Sequence, residues 1–128
     1  MAKTNILVVD DNSSDAGTVA DVLEKAGYAA TISDNGKDAL DEIRKKKYRL
    51  ILLDILMPRL SGYELLKILR EKLNHHVKMA YISIVPESDV DKREVDGFVQ
   101  KPFDPKDLIA KVKKILKENP TVRHKKVK

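Results

Sequence analysis

Short apolar runs alternate along the chain with segments in which apolar residues recur at helical spacing. The first run, Asn5 to Val9, and the third, Leu50 to Leu53, are almost continuously apolar, as expected for strands that helices cover on both faces. Three other runs complete a set of five predicted strands. The predicted strands are Ile6 to Asp10, Ala29 to Ser33, Leu50 to Asp54, Met79 to Ile84 and Phe98 to Gln100.

The segments between the runs predict helices with one apolar face. The first helix places Val19, Val22, Leu23 and Ala26 on that face, at the i, i+3, i+4, i+7 spacing, and Gly27 is a fitting residue for its end. Three later helices follow the same rule. Their predicted buried residues are, in order, Ala39, Leu40 and Ile43; Leu65, Leu66, Leu69 and Leu73; and Leu108, Ile109, Val112, Ile115 and Leu116.

The order of these elements predicts the fold class. Strand and helix alternate five times, which indicates an α/β protein with a (βα)5 doubly wound, five-stranded parallel sheet and helices on both faces. The last helix has clear boundaries, because Asp104 can cap it, Pro105 suits its first position and Pro120 ends it.

The fourth unit does not follow the pattern. Between Ile84 and Gly97 only Val85, Val90 and Val95 are apolar, so a helix of ordinary length would have no complete apolar face to bury. We therefore expect a shortened fourth helix, of one or two turns at most.

Charged residues stand at the ends of three predicted strands. Asp10 and Asp11 end the first run, Asp54 ends the third, and Lys101 follows the last. Ligands of an open α/β sheet bind outside the carboxyl ends of its strands, so these side chains should converge. Three carboxylates repel one another unless a cation lies between them, and Mg²⁺ prefers oxygen ligands. The pattern predicts a site for a hard cation beside an anion.

Each of these residues also has a structural explanation. Asp10 and Asp11 could cap the first helix, Lys101 could be a surface lysine before a turn, and Ser83 could bond to the backbone rather than to an anion. The third acid, Asp54, at another strand end favours the cation site over the helix cap.

Taken in order, the motifs resemble the receiver domain of two-component response regulators, a CheY-like phosphoacceptor domain with a flavodoxin-like sheet. The resemblance covers about residues 4 to 118. Independently of the resemblance, Lys101-Pro102 indicates a lysine fixed at a strand end, and its peptide bond can be cis, as in some tight turns. The motifs are Asp10-Asp11, Asp54-Ile55-Leu56-Met57-Pro58 with Gly62, Asp34-Asn35-Gly36-Lys37-Asp38-Ala39-Leu40, Ser83, and Phe98 with Lys101-Pro102-Phe103.

The resemblance also implies a role for each residue. Asp54 would accept a phosphoryl group from phosphohistidine, and Lys101 would pair with a phosphoryl oxygen. Mg²⁺ would be bound by Asp54 and Asp11 directly, by Asp10 largely through water, and by the backbone carbonyl of Leu56.

Two further residues would act in switching. By the same resemblance, Ser83 would bond to the phosphoryl group of the active domain, and Phe98 would be the aromatic side chain that turns inward as Ser83 moves. The chain departs from the family's usual pattern in two places. The interval from Ser83 to Lys101 is about one helical turn short, and Ile84 stands where a small residue is usual.

Composition sets the remaining expectations. The 128 residues, 42% of them apolar, suit one domain with a core. We expect a receiver domain over residues 1–118 and a basic tail or linker stub over 119–128. The net charge is +5, but four basic residues lie in that tail and leave about +1 for the body, so nucleic-acid binding is not expected. The absence of Cys and of any membrane-length apolar run fits a cytoplasmic protein without membrane insertion.

Three functions are compatible with these features to different degrees. The first is a phosphorylation-dependent signalling switch that requires Mg²⁺, receives its phosphoryl group from a sensor histidine kinase or phosphotransfer protein, and acts as a monomer or weak dimer on an unknown downstream protein. Such a switch is a signalling receiver and not an enzyme, since it would catalyse only its own phosphoryl transfer and dephosphorylation. The second is a receiver-like interaction module that acts without phosphorylation. The third is a flavodoxin-like flavin binder or a different phosphohydrolase. Asp10-Asp11-Asn12 disfavours the flavin binder, because the two acids would repel a flavin phosphate.

Overall fold

Five strands form one parallel sheet in the part of the chain that the computed structural model describes, residues 3–73 and 76–117. Their bounds are β1 Asn5–Val9, β2 Ala29–Ser33, β3 Leu50–Leu53, β4 Lys78–Ser83 and β5 Gly97–Gln100. The strand order is β2-β1-β3-β4-β5, and every adjacent pair is parallel. The five predicted strands and the doubly wound α/β class are confirmed. Several ends differ by one residue, so that Asp10 and Asp54 follow their strands.

The described residues also contain four α-helices, α1 Ser13–Lys25, α2 Gly36–Lys45, α3 Gly62–Lys72 and α4 Pro105–Lys117. Each helix begins after a polar residue whose side chain accepts a hydrogen bond from a backbone N–H of the first turn, which satisfies a donor that the helix itself leaves unpaired. The cap and the donor are Asn12 and Asp15 for α1, Asn35 and Asp38 for α2, Ser61 and Glu64 for α3, and Asp104 and Lys106 for α4.

The core lies on both faces of the sheet. Helices α1 and α4 cover one face, with Leu23, Leu108 and Val112 fully buried, and α2 and α3 cover the other. The predicted helix faces are confirmed except at Ala26, which is exposed just after α1, while Ala16 is buried in its place. A fourth full helix would have completed the α2 and α3 face.

The expected shortened fourth helix is a single 3₁₀ turn, Glu87–Asp89. The rest of the segment between β4 and β5 is irregular, and it covers the sheet with the side chains of Val90 and Val95, which are buried in the same cluster as Phe98. The loop residues that were too few to form a helix face therefore still shield this end of the sheet.

Each edge strand receives a charged side chain from a neighbouring helix. On β2, the carboxylate of Glu24 in α1 accepts a hydrogen bond from the N–H of Ala30 at 2.8 Å. On β5, the ammonium of Lys111 in α4 donates to the carbonyl of Phe98 at 3.1 Å. Both edges are thus bonded to helix side chains.

Two sequence-based expectations lie partly outside the described residues. The proposed tail, 119–128, and the end of the last helix at Pro120 fall beyond residue 117, so the division at residue 118 stays a prediction. Within the described residues, no helix is both long and apolar enough to cross a membrane.

Candidate functional site

Three carboxylates meet where β1 and β3 end. One oxygen from each of Asp10, Asp11 and Asp54 lies within 4.8 Å of the others. The backbone fixes two of these residues, because the N–H of Asp10 donates to Ser33 and that of Asp54 donates to Val9, so both continue the strand ladder by one residue. The adjacency of β1 and β3 in the sheet is thus what brings these acids together.

The Lys101 ammonium lies among these carboxylates. Its Nζ atom is 2.8 Å from Asp10 Oδ2, 3.1 Å from Asp15 Oδ2 and 3.4 Å from Asp54 Oδ2. The Lys101 backbone N–H donates to the carbonyl of Ser83, which anchors the residue beside the end of β4. The following bond to Pro102 is cis. An ammonium group has three N–H donors, and three carboxylates accept from it here.

Asp15 is the member of this group that the sequence did not reveal. It lies in the first turn of α1, where an acidic residue is common because it stabilises the helix N-terminus. Its side chain is half exposed, whereas that of Lys101 is 8% exposed. One signal was present in the sequence, since α1 begins directly after Asp10 and Asp11 and its first turn must lie at the same sheet edge.

Electrostatics at the site oppose the ionised form of Asp54. Burial raises the pKa of Asp54, the positive charge of Lys101 counteracts this, and the negative charge of Asp10 raises the pKa further, so the net shift is upward. At Lys101, burial disfavours the charge, but hydrogen bonds to Asp10 and Asp15 outweigh it and raise the pKa. The site therefore holds an ionised lysine beside an aspartate whose ionised form would be stabilised by added positive charge.

Backbone packing sets the position of Asp54. The N–H of Leu56 donates to Asp54 Oδ1 at 3.1 Å, and the N–H of Gly62 donates to the carbonyl of Ile55. A Cβ atom at Gly62 would overlap the carbonyl oxygen of Asp54 and come within 2.8 Å of the Ile55 Cα. Only glycine allows α3 to begin this close to the aspartate.

The two residues expected to act in switching occupy different surroundings. Ser83, the last residue of β4, is fully buried, and its Oγ accepts a hydrogen bond from the N–H of Val85 at 3.3 Å. Phe98 in β5 is buried in the core on the α2 and α3 face. Two apolar side chains stay exposed on the connections that follow the site strands, Leu56 after Asp54 and Ile84 after Ser83.

The donor set suits a hard divalent cation. Mg²⁺ binds oxygen at about 2.1 Å in octahedral geometry, so its neighbouring protein ligands are separated by roughly 3 Å. Oxygens within 4.8 Å of one another reach such positions by small side-chain rotations. The carboxylates of Asp10, Asp11 and Asp54 could therefore hold a cation, and the neighbouring Lys101 ammonium could hold an anionic group beside it.

Comparison with known proteins identifies the family. The profile of the response regulator receiver domain matches residues 6–113, which includes every residue of the site. The chain belongs to the response regulator receiver family. It is thus the receiver domain of a two-component response regulator, and the flavin-binding alternative is not supported.

Two curated relatives of this receiver domain are longer than the chain. The uncharacterized transcriptional regulatory protein YkoG of Bacillus subtilis is 34% identical over 126 residues, covering 94% of this chain and 54% of the relative. The sensory transduction protein RegX3 of Mycolicibacterium smegmatis is 32% identical over 119 residues, covering 89% and 51%. The chain spans about half the length of these curated relatives.

Solved structures share the receiver fold. The response regulator TrrA of Thermotoga maritima, crystallised in complex with Mg²⁺-BeF, matches with a TM-score of 0.80 and 33% identity, covering 88% of this chain and 99% of the other. The chemotaxis protein CheY4 of Vibrio cholerae matches with a TM-score of 0.79 and 27% identity, covering 90% and 100%.

Proposed function

We propose that this receiver domain is switched by phosphorylation of Asp54. The observation that carries the proposal is the contact of the Lys101 ammonium with Asp54 and Asp10, within a cluster of three carboxylates. Such a site supplies a nucleophile together with positive charge for the oxygens of a phosphoryl group, which is what phosphoryl transfer requires.

The proposed reaction uses phosphohistidine of a sensor kinase or a phosphotransfer protein as the donor. A carboxylate oxygen of Asp54 attacks phosphorus, the N–P bond of phosphohistidine breaks, and its electron pair returns to the histidine nitrogen, which then takes a proton. Lys101 pairs with a phosphoryl oxygen and compensates its charge. The domain catalyses no reaction other than this transfer and the later hydrolysis of its own aspartyl phosphate.

Mg²⁺ is the proposed cofactor. Asp11, Asp54 and the backbone carbonyl of Leu56 would hold it directly, and Asp10 would act largely through water. Both oxygens of Asp10 already accept hydrogen bonds, from Asn12 N–H and from Lys101, which supports an indirect role. When bound, the ion neutralises negative charge on the phosphoryl oxygens. The Mg²⁺-BeF complex of TrrA is consistent with this assignment.

Phosphorylation would be transmitted to a partner surface through Ser83 and Phe98. Since the usual fourth helix is reduced to one turn, we propose α4 as the surface for a downstream protein. Lysines cover its solvent side: Lys106, Lys111, Lys113 and Lys114 are all exposed. We further propose a cytoplasmic monomer or weak dimer.

The test is the intact mass of the protein after treatment with acetyl phosphate, with and without Mg²⁺. We expect the wild type to gain one phosphoryl group in a Mg²⁺-dependent manner and Asp54→Asn to gain none. Asp34→Asn, which changes an exposed acid at the end of β2, is the matched control and should be labelled like the wild type. An unlabelled wild type would favour an interaction module that acts without phosphorylation.

A further inference from the structure

The side chain of Gln100 fastens the connection after β4 to the end of β5. Its Nε2 donates to the backbone carbonyls of Ser83 and Val85, each at 3.0 Å, and its Oε1 accepts from the N–H of Glu87 at 2.9 Å. One amide group thus bonds three backbone groups spread over five residues of the loop, using both of its N–H donors and its acceptor.

These bonds pair backbone groups at the start of a segment that has little regular structure of its own. The first N–H groups of any helix have no partner within the helix and need one from elsewhere. Here the segment contains one 3₁₀ turn, Glu87–Asp89, and Glu87 supplies its first N–H. A buried or half-buried backbone group without a partner costs about as much as a lost hydrogen bond, so Gln100 removes that cost from the loop.

The bonds of Gln100 also reach Ser83, one of the predicted site residues, and lie next to Lys101. Val85, whose carbonyl is held by Gln100, donates its N–H to the Ser83 hydroxyl oxygen. A hydroxyl has one donor and two acceptor positions, so this contact orients the oxygen and leaves its proton available for an anion. Gln100 also precedes Lys101, and the Ser83 carbonyl accepts from the Gln100 amide and from the Lys101 backbone N–H together.

We propose that Gln100 is a positioning residue for the phosphoryl group on Asp54. It holds the carbonyl of Val85, and the N–H of the same residue bonds to the Ser83 hydroxyl, so that the hydroxyl meets the phosphoryl group without first ordering a loose loop. Gln100 touches neither Asp54 nor the phosphoryl group. This inference rests on the proposed function, because it assigns a role in binding the group that Asp54 would carry.

The test measures the binding of beryllofluoride with Mg²⁺, a phosphoryl mimic, by calorimetry. Gln100→Ala removes the three bonds to Ser83, Val85 and Glu87, together with a longer one to the Lys101 carbonyl at 3.5 Å, and should weaken binding about tenfold, the equivalent of one to two net hydrogen bonds. Gln100→Glu keeps the shape and the acceptor for Glu87 but replaces the donors with an oxygen facing two carbonyls. It should weaken binding at least as much, and it serves as a second variant if alanine impairs folding.

Combination with Ser83→Ala separates positioning from general loosening of the fold. If Gln100 acts through the Ser83 hydroxyl, then Gln100→Ala should cause no further loss of beryllofluoride affinity once that hydroxyl is absent, although it still speeds amide exchange of the loop. Asn5→Ala is the matched control, because it removes an amide-to-carbonyl bond to Lys47 far from the site and should leave beryllofluoride binding unchanged.

Three results would overturn the proposal. The first is wild-type affinity in both Gln100 variants. The second is an equal loss of affinity from Gln100→Ala with and without Ser83, which would make Gln100 a structural residue alone. The third is a wild-type protein that binds no beryllofluoride and takes no phosphoryl group, and this result alone would also refute the proposed function.

Discussion

The substitution Asp15→Asn removes a negative charge from beside the Lys101 ammonium while keeping an oxygen that can accept its hydrogen bond. We expect it to speed phosphorylation of Asp54. In the structure Asp15 and Asp54 bind the same Nζ atom, at 3.1 and 3.4 Å. Under the proposed function, Asp15 would compete with an incoming phosphoryl group for the ammonium and would also repel that group.

The size of the effect follows from the geometry. Two unit charges 3.1 Å apart interact by roughly 1.3 kcal/mol in bulk water and roughly 5 kcal/mol at an effective dielectric constant of about 20. The Asp15 side chain is 47% exposed, so solvent screening favours the lower figure. A barrier lowered by about 1 kcal/mol corresponds to a roughly fivefold faster reaction.

The assay is the initial rate of phosphorylation by acetyl phosphate at saturating Mg²⁺, followed by intact mass. Asp21→Asn is the matched control, because it makes the same change of charge on α1 where the ion pair, with Lys25 at 3.8 Å, is exposed to solvent. Its rate should equal that of the wild type. An Asp15→Asn rate equal to or below that of the wild type would show that Asp15 does not compete for Lys101.

Three other predictions concern the metal and the fold. Asp11→Ala should lose on the order of a few kcal/mol of Mg²⁺ binding in calorimetry and Asp10→Ala less, and equal losses would contradict the indirect role of Asp10. Because the pKa of Asp54 is raised above 3.8, its ionised form destabilises the metal-free fold above that pH. Asp54→Asn should therefore raise the melting temperature at pH 7, and this gain should disappear as the pH falls through the raised pKa to 3.8. A gain in melting temperature that does not depend on pH would refute the argument. In chemical denaturation, Gly62→Ala should lower the free energy of unfolding by about 1–3 kcal/mol, because the added Cβ overlaps the Asp54 backbone. Gly17→Ala should raise it by about 0.5–1 kcal/mol, because the Cβ position inside α1 is open. Similar changes in both variants would contradict the packing argument.

Local patterns in the sequence predicted the sheet and the grouping of the three carboxylates, because both depend on where strands end. Once β1 and β3 are known to be parallel, a carboxylate after each must lie at the same sheet edge. That reasoning needs no knowledge of side-chain conformation. It correctly grouped Asp10, Asp11 and Asp54, and it placed Lys101 near them.

The strand ends place the first turn of α1, and with it Asp15, at the same sheet edge, but they do not predict the contacts that Asp15 and Gln100 make. Asp15 reads as a helix-stabilising acid, and its bond to Lys101 depends on how α1 packs against the end of β5. Gln100 reads as the polar end of a strand, and its partners lie in a loop whose path is set by the burial of Val90 and Val95. Both contacts result from tertiary packing between segments distant in sequence.

The charged bonds at the two edges of the sheet bear on how this domain can associate. An open edge strand can pair with a strand of another molecule, and such pairing leads to aggregation or domain swapping. Another chain that added to β2 would have to displace the carboxylate of Glu24, and one that added to β5 would have to displace the ammonium of Lys111. Charge-assisted hydrogen bonds are about twice as strong as neutral ones, so each of these bonds adds a cost to the pairing of another strand at its edge. The two helix side chains thus disfavour extension of the sheet at Ala30 and at Phe98, in addition to packing their helices against it.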